Sequence, residues 1–287
     1  MTSYQDLIDV EELKQHLGQP NWRLFDCRFD LMRPAKGRDE YGEGHIPGAQ
    51  FADLDADLAG PVSDSTGRHP LPSPDAFAAT LGAWGVDNLS QVVVYDHASG
   101  AIAARLWWML KWVGHQQVAV LNGGFAAWRE AGYEMSDRRE SATAVKFQPT
   151  PDSDLVVSTA ELQEAIVSGS APLIVDARDS VRFAGEREPI DRVAGHVPGA
   201  VNHPFSESLD ASGRWKSRSE LRDSWARVAG ANAARSWVSM CGSGVTACHL
   251  ALSAVLAGYP FPRLYIGSWS EWIQNPDRPV ARAADLR

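Results

Sequence analysis

The chain has 287 residues, 44% of them hydrophobic and 22% charged, with a formal net charge of −9. At roughly 150 residues per domain this is material for two domains, each able to bury a core. The acidic balance excludes a general nucleic-acid binder, which needs basic surface, although a local basic cluster can still hold a small anion. No apolar run of about 18 residues occurs, so no membrane span is expected. Met1 to Glu12 lack the basic start and apolar stretch of a secretory signal. Cys27, Cys241 and Cys248 are too few and too scattered for a disulfide framework. A soluble, cytoplasmic protein is expected.

Along the chain, Leu24-Phe-Asp-Cys-Arg28 reads as an apolar strand ending in Asp-x-Arg, with Cys27 as a core residue. Gly44-His-Ile-Pro-Gly-Ala49 follows. Val92–Tyr95 is a short apolar run, as in a strand covered on both faces. Ala101–Val113 carries helix formers at helical spacing and stops near Gly114. Leu121-Asn-Gly-Gly-Phe-Ala-Ala-Trp128 closes the first half. The same order then returns: Leu173-Ile-Val-Asp-Ala-Arg178, Gly195-His-Val-Pro-Gly-Ala200, Trp237-Val-Ser-Met-Cys241, a helical stretch Val245–Ala257 before Gly258, and Tyr265-Ile-Gly-Ser-Trp-Ser-Glu-Trp272. The offset drifts only from 151 residues (His45 to His196) to 144 (Trp128 to Trp272), as loop insertions produce. Such ordered matches mark a duplication. The division is a domain over residues 1–137, a linker over 138–154, and a domain over 155–287. Alternating strands and helices indicate an α/β fold, each domain a mostly parallel sheet flanked by helices. Ligands in such sheets bind beyond the carboxyl ends of the strands, here the loops after Tyr95 and Met240. His45 and His196, present in both repeats, read as structural, as do Arg28 and Arg178 beside Asp26 and Asp176.

The loop after Met240 carries the chemistry. Cys241 is followed by Gly242, Ser243 and Gly244, and a helix is expected to start near Val245 or Thr246. Small residues let the backbone curl and turn its amides inward, and the helix adds the positive end of its dipole. Both favour negative charge on a sulfur, or on an adduct it carries. Cys241 is therefore the candidate nucleophile. Cys248, on the inner face of the helix, is read as core. Cys241, Cys248 and His249 offer a metal only three ligands, so no metal site is expected, nor any cofactor. Six residues after Cys241 stands Ala247, not the arginine of a cysteine-based phosphatase loop.

Cys241-Gly-Ser-Gly-Val-Thr-Ala-Cys-His249, the two Asp-x-Arg strands and the two Gly-His-[Ile/Val]-Pro-Gly-Ala segments together resemble the rhodanese superfamily over nearly the whole chain. The Cys-Gly-Ser-Gly-Val-Thr form resembles the 3-mercaptopyruvate sulfurtransferases within it. The resemblance implies a persulfide on Cys241, a small anionic sulfur donor, and a thiol acceptor such as thioredoxin or a small thiol, or cyanide. Neither nucleic acid nor membrane is an expected partner. It also implies a silent first domain, and Asp96-His-Ala-Ser-Gly100 agrees, with Asp96 or His97 in the cysteine's place. It implies a relay of Ser243, of His69 in Arg68-His-Pro-Leu-Pro72, and of Asp55 in Phe51-Ala-Asp-Leu-Asp55.

For the donor carboxylate, the family's first substrate arginine matches Arg182. The second falls where Glu188-Pro-Ile190 has none, which leaves Arg187 or Arg192 as substitutes. Gly242, Gly244, Val245 and Thr246 would line the donor site. Thiosulfate-preferring relatives carry Arg and Lys directly after the cysteine. Here those positions are uncharged, so the field at the sulfur is expected to come mainly from amides and helix. A thiosulfate-preferring enzyme is the alternative. A non-catalytic scaffold is disfavoured by the intact Cys241, Ser243, His69 and Arg182.

Overall fold

The computed structural model describes residues 3–230 and 237–283. They divide into two compact units. The first comprises Met1–Gly60, Leu71–Asp152 and Ala211–Trp215; the second comprises Pro61–Pro70, Ser153–Asp210 and Lys216–Arg287.

The first unit runs β1 (Leu7–Ile8), α1 (Val10–His16), β2 (Trp22–Asp26), α2 (Lys36–Glu43), β3 (Ala49–Phe51), α3 (Pro74–Ala83), β4 (Gln91–Tyr95), α4 (Ala103–Trp112), β5 (Val118–Leu121) and α5 (Gly124–Glu130). Its sheet has the order β1-β5-β4-β2-β3, with every pairing parallel. β4 is buried along its whole length, which is why its sequence is continuously apolar rather than alternating.

The second unit repeats the plan: β6 (Val156–Val157), α6 (Thr159–Val167), β7 (Leu173–Asp176), α7 (Ser180–Ala184), β8 (Ala200–Asn202), α8 (Arg218–Ala229), β9 (Trp237–Met240), α9 (Thr246–Leu256), β10 (Arg263–Tyr265) and α10 (Ser268–Trp272). The order is β6-β10-β9-β7-β8, position for position that of the first sheet. All its pairings are parallel too. No helix among the described residues is long and apolar enough to cross a membrane.

The repeated motifs are one structural joint used twice. Arg28 Nη2 meets Asp26 Oδ2 at 2.6 Å and donates to Gly44 O at 2.7 Å. Arg178 Nη2 meets Asp176 Oδ2 at 2.7 Å and donates to Gly195 O at 2.9 Å. Asp-x-Arg thus ties a central strand to the Gly-His turn. His45 stacks on Tyr41 at 3.9 Å, and His196 on Phe183 at 3.8 Å. Each imidazole Nδ1 also lies 2.8 Å from the carbonyl of the residue on which it stacks.

Residues 61–70, 138–152 and 211–215 pack differently from a plain division at the linker. Residues 138–152 lie along the first unit: Val145 N–H donates to Gly82 O, Thr150 N–H to Val113 O and Asp152 N–H to Trp112 O, each at 2.9 Å. Phe147 within this stretch is buried. Carbonyls at the ends of α3 and α4 and one aromatic anchor hold it down. Residues 61–70, which belong to the first half by sequence, pack as part of the second unit.

Candidate active site

β9 delivers Cys241 to the carboxyl edge of the second sheet, ahead of α9. The Gly244 amide donates to Cys241 Sγ at 3.2 Å. Gly244 sits at φ +78°, and a Cβ there would lie 2.5 Å from Ile266 O, so no other residue makes this curl without displacing backbone. The cysteine's own backbone is pinned from behind. Its N–H donates to Ser268 Oγ at 3.1 Å, and that hydroxyl donates on to Tyr265 O at 2.9 Å. Trp269 N–H reaches Cys241 O at 3.0 Å, and Ser270 N–H reaches Gly242 O at 2.9 Å. Ser268 holds the left-handed φ of 52°. Its counterpart in the first repeat is Gly124, at φ 54°, so a serine has been placed where the backbone favours glycine. Its role went unread in the sequence, although the aligned repeat displays the exchange.

His69 and Ser243 come together. His69 Nδ1 lies 2.8 Å from Ser243 Oγ, and both residues are buried. The strap 61–70 is held on α10 by Gly67 N–H donating to Glu271 Oε2 at 3.3 Å and Arg68 N–H donating to Ser270 Oγ at 3.1 Å. Asp55 follows β3 in the first unit. Its N–H donates to Asp53 Oδ1 at 3.1 Å. Burial, and then the Asp53 charge, push its carboxyl above the usual range.

The arginines separate. Arg182 Nε donates to Glu188 Oε1 at 2.9 Å, and its Nη2 to Asp191 Oδ2 at 3.0 Å. Arg68 Nη1 pairs with the other oxygen of Asp191. A Cβ placed on Gly242 would stand 3.1 Å from Arg68 Nη2 and 3.6 Å from Arg182 Nη2. Two guanidiniums therefore flank the residue after Cys241. Both are ion-paired, Arg68 with Asp191 and Arg182 with Asp191 and Glu188.

Arg68 precedes His69 in Arg68-His-Pro-Leu-Pro72, and nothing in that string places its guanidinium beside Gly242. Arg192 is committed elsewhere, donating to Ile273 O at 2.5 Å and Gln274 O at 3.3 Å at the end of α10. Arg187 is exposed, with no hydrogen bond or ion pair among the described residues. Burial holds the Asp191 carboxyl above the usual range, against the pull of Arg68 and Arg182.

The matching loop of the first unit is already filled. Asp96 stands in the cysteine's place and is buried. Its Oδ1 accepts from the amides of Ala98 and Gly100 at 3.2 and 2.9 Å, and its Oδ2 from those of Ile102 and Ala103 at 2.8 and 3.2 Å. A carboxylate satisfies the amide cradle, and no sulfur is present to react. Cys27 is fully buried, and desolvation together with Asp26 and Asp96 pushes its thiol well up. Cys248 is also fully buried, its Sγ directed at Gly244 O at 3.3 Å.

The model of the rhodanese-like domain matches residues 9–131 and again residues 158–275. The chain is 46% identical, over 98% of its length and 99% of the relative's, to a probable 3-mercaptopyruvate sulfurtransferase of Pseudomonas aeruginosa. It is 36% identical to the thiosulfate sulfurtransferase of Gallus gallus, over 92% of this chain and 90% of that one. The solved 3-mercaptopyruvate sulfurtransferase from Leishmania major superposes with a TM-score of 0.84 at 33% identity, over 95% of this chain and 76% of the other.

Proposed function

The chain belongs to the rhodanese family, and on that premise we propose that it is a 3-mercaptopyruvate sulfurtransferase that carries sulfur as a persulfide on Cys241. The observation that carries the reading is the Gly244 amide aimed at Cys241 Sγ from 3.2 Å at the head of α9. A thiolate, or the outer sulfur of a persulfide, gains there from the amide and the helix end together.

The Cys241 thiolate attacks the sulfur of 3-mercaptopyruvate. A sulfur–sulfur bond forms, the carbon–sulfur bond breaks, and pyruvate departs as its enolate. The enolate takes a proton delivered through Ser243 and His69 and leaves as pyruvate. Asp55 joins that relay on the strength of the resemblance around residues 51–55. An acceptor thiolate, or cyanide, then attacks the sulfane sulfur, takes it, and returns Cys241 as thiolate. Arg182 holds the donor's carboxylate through a charge-assisted contact. The acceptor class is thioredoxin, a small thiol or cyanide, and the compartment is the cytoplasm, in keeping with three free cysteines.

Intact-mass measurement after treatment with 3-mercaptopyruvate tests the reading. One added sulfur, removable by cyanide and absent in Cys241→Ser, is the expected result; uptake by Cys241→Ser would overturn it. A thiosulfate-preferring enzyme is the second reading, favoured by the two guanidiniums beside Gly242, which a dianion would also engage. The ratio of kcat/KM for the two donors, with one common acceptor, separates them.

A further inference from the structure

We propose that the first unit carries a binding pocket for a free α-amino acid, at the place that corresponds to the catalytic mouth of the second. A cavity of about 460 Å³ lies there, a usual size for a small-molecule site. Its lining includes Arg28, Glu40, Glu43, His97, Phe125 and Arg129, all of them in the first unit. Arg28 follows the end of β2 and His97 the end of β4, the edge at which parallel α/β sheets take ligands. His97 comes after Asp96 as Gly242 comes after Cys241, and Phe125 comes after Gly124 as Trp269 comes after Ser268. Asp96 fills the amide cradle of this loop but is not part of the cavity wall.

Arg28 is the anchor for an anion. It is only 4% exposed. Its Nε and Nη2 are committed to Asp26 and to the carbonyls of Glu40 and Gly44. Its Nη1 has no hydrogen bond or ion pair among the described residues. In the second unit the same nitrogen is compensated, for Arg178 Nη1 stands 3.6 Å from Glu188 Oε2. A ligand carboxylate in the first unit takes the part that Glu188 plays in the second. The Phe125 ring, with its centroid 4.3 Å from the Arg28 guanidinium carbon, holds the group in place. Glu40 is engaged by His97 at 2.6 Å and by Lys36 at 3.2 Å. Glu43 and Arg129 are exposed, and their side chains make no hydrogen bond or ion pair among the described residues. Two opposite charges that line one cavity without meeting each other suit a ligand that bears both. Arg129 joins Arg28 in holding the carboxylate, and Glu43 receives the ammonium. A simple carboxylate would leave Glu43 unanswered, and a simple amine would leave Arg28 so.

The test is isothermal titration calorimetry on the full chain. The first probe is L-leucine, whose side chain suits the Phe125 ring. It is compared with the corresponding 2-oxo acid, which lacks the ammonium, and with isopentylamine, which lacks the carboxylate. L-leucine should bind saturably with a Kd at or below about 1 mM, and both analogues should bind more weakly. Glu43→Gln and Arg129→Gln should each weaken L-leucine by roughly ten-fold, as for loss of one charge-assisted contact. Protein alkylated at Cys241 with iodoacetamide should bind L-leucine as the parent does, because this pocket lies in the other unit. Loss of binding on alkylation would put the ligand at the catalytic mouth and overturn the proposal. Equal affinity for the three probes, or L-leucine binding that neither substitution alters, would overturn it too. So would the absence of saturable binding by L-leucine, L-alanine and L-glutamine alike. None of these outcomes depends on sulfur transfer, so the proposal and the sulfurtransferase reading stand or fall separately.

Discussion

His69 Nδ1 lies 2.8 Å from Ser243 Oγ although 174 residues separate them. The contact exists because residues 61–70 leave the fold of the first half and pack into the second unit. His69→Ala and Ser243→Ala should each lower kcat for 3-mercaptopyruvate by about a hundred- to ten-thousand-fold, the usual worth of a positioned proton donor. The double variant should fall little further than either single one, since the two act as a unit. Steady-state kinetics on the four proteins checks this. Fully additive losses would show that the pair does not work together.

Gly242 and Gly244 should respond differently to alanine. At Gly244 a Cβ meets the Ile266 carbonyl at 2.5 Å and the backbone is left-handed, whereas at Gly242 it meets the movable ends of two arginines. Gly244→Ala should cost about 1–3 kcal/mol of stability from strain, read as a lowered melting temperature. Gly242→Ala should melt normally and show a raised KM for 3-mercaptopyruvate. An arginine introduced at 242 would crowd Arg68 and Arg182 as a third cation. Gly242→Arg should therefore weaken 3-mercaptopyruvate binding by displacing Arg68, measurable as a KM effect larger than that of Gly242→Ala.

Gly67 is where the strap meets α10. A Cβ there would stand 2.5 Å from Gly267 O. Gly67→Ala should lift the strap, withdrawing both Arg68 and His69, while the strands and helices remain. The expected outcome is unchanged far-ultraviolet circular dichroism with a fall in both kcat and kcat/KM for 3-mercaptopyruvate. Undiminished turnover would mean that the strap's seat on α10 is not needed.

Ser268 carries opposing effects. Its left-handed backbone costs on the order of 1 kcal/mol or more relative to glycine. Its hydroxyl, however, satisfies the buried Cys241 N–H. Ser268→Ala keeps the strain and strands that donor, which should cost about 1–3 kcal/mol. Ser268→Gly strands the same donor but relieves the strain, so it should be the milder of the two. Chemical denaturation of the three proteins settles the order, and a more stable alanine variant would contradict it.

By itself, the sequence determined everything that depends on residues adjacent along the chain. The parallel α/β plan, the strand–Cys241–glycine–helix loop and the missing cysteine at Asp96 or His97 of the first half are all local. Each follows from apolar runs, glycine at turns and helix starts, within a dozen residues. The tie from Arg178 to Gly195 was half legible, because the Asp-x-Arg and Gly-His motifs recur together while the hydrogen bond between them does not show in a string of letters. Tertiary structure alone decided the electrostatics and the positioning. It brought Arg68 beside Gly242, committed Arg192 to the carbonyls at the end of α10, and set the Ser268 hydroxyl behind Cys241. It also carried His69 out of the half in which it is written. Charge acts through space and weakens with distance, so which cations reach the sulfur depends on where the chain folds back, and no local pattern of residues encodes that distance.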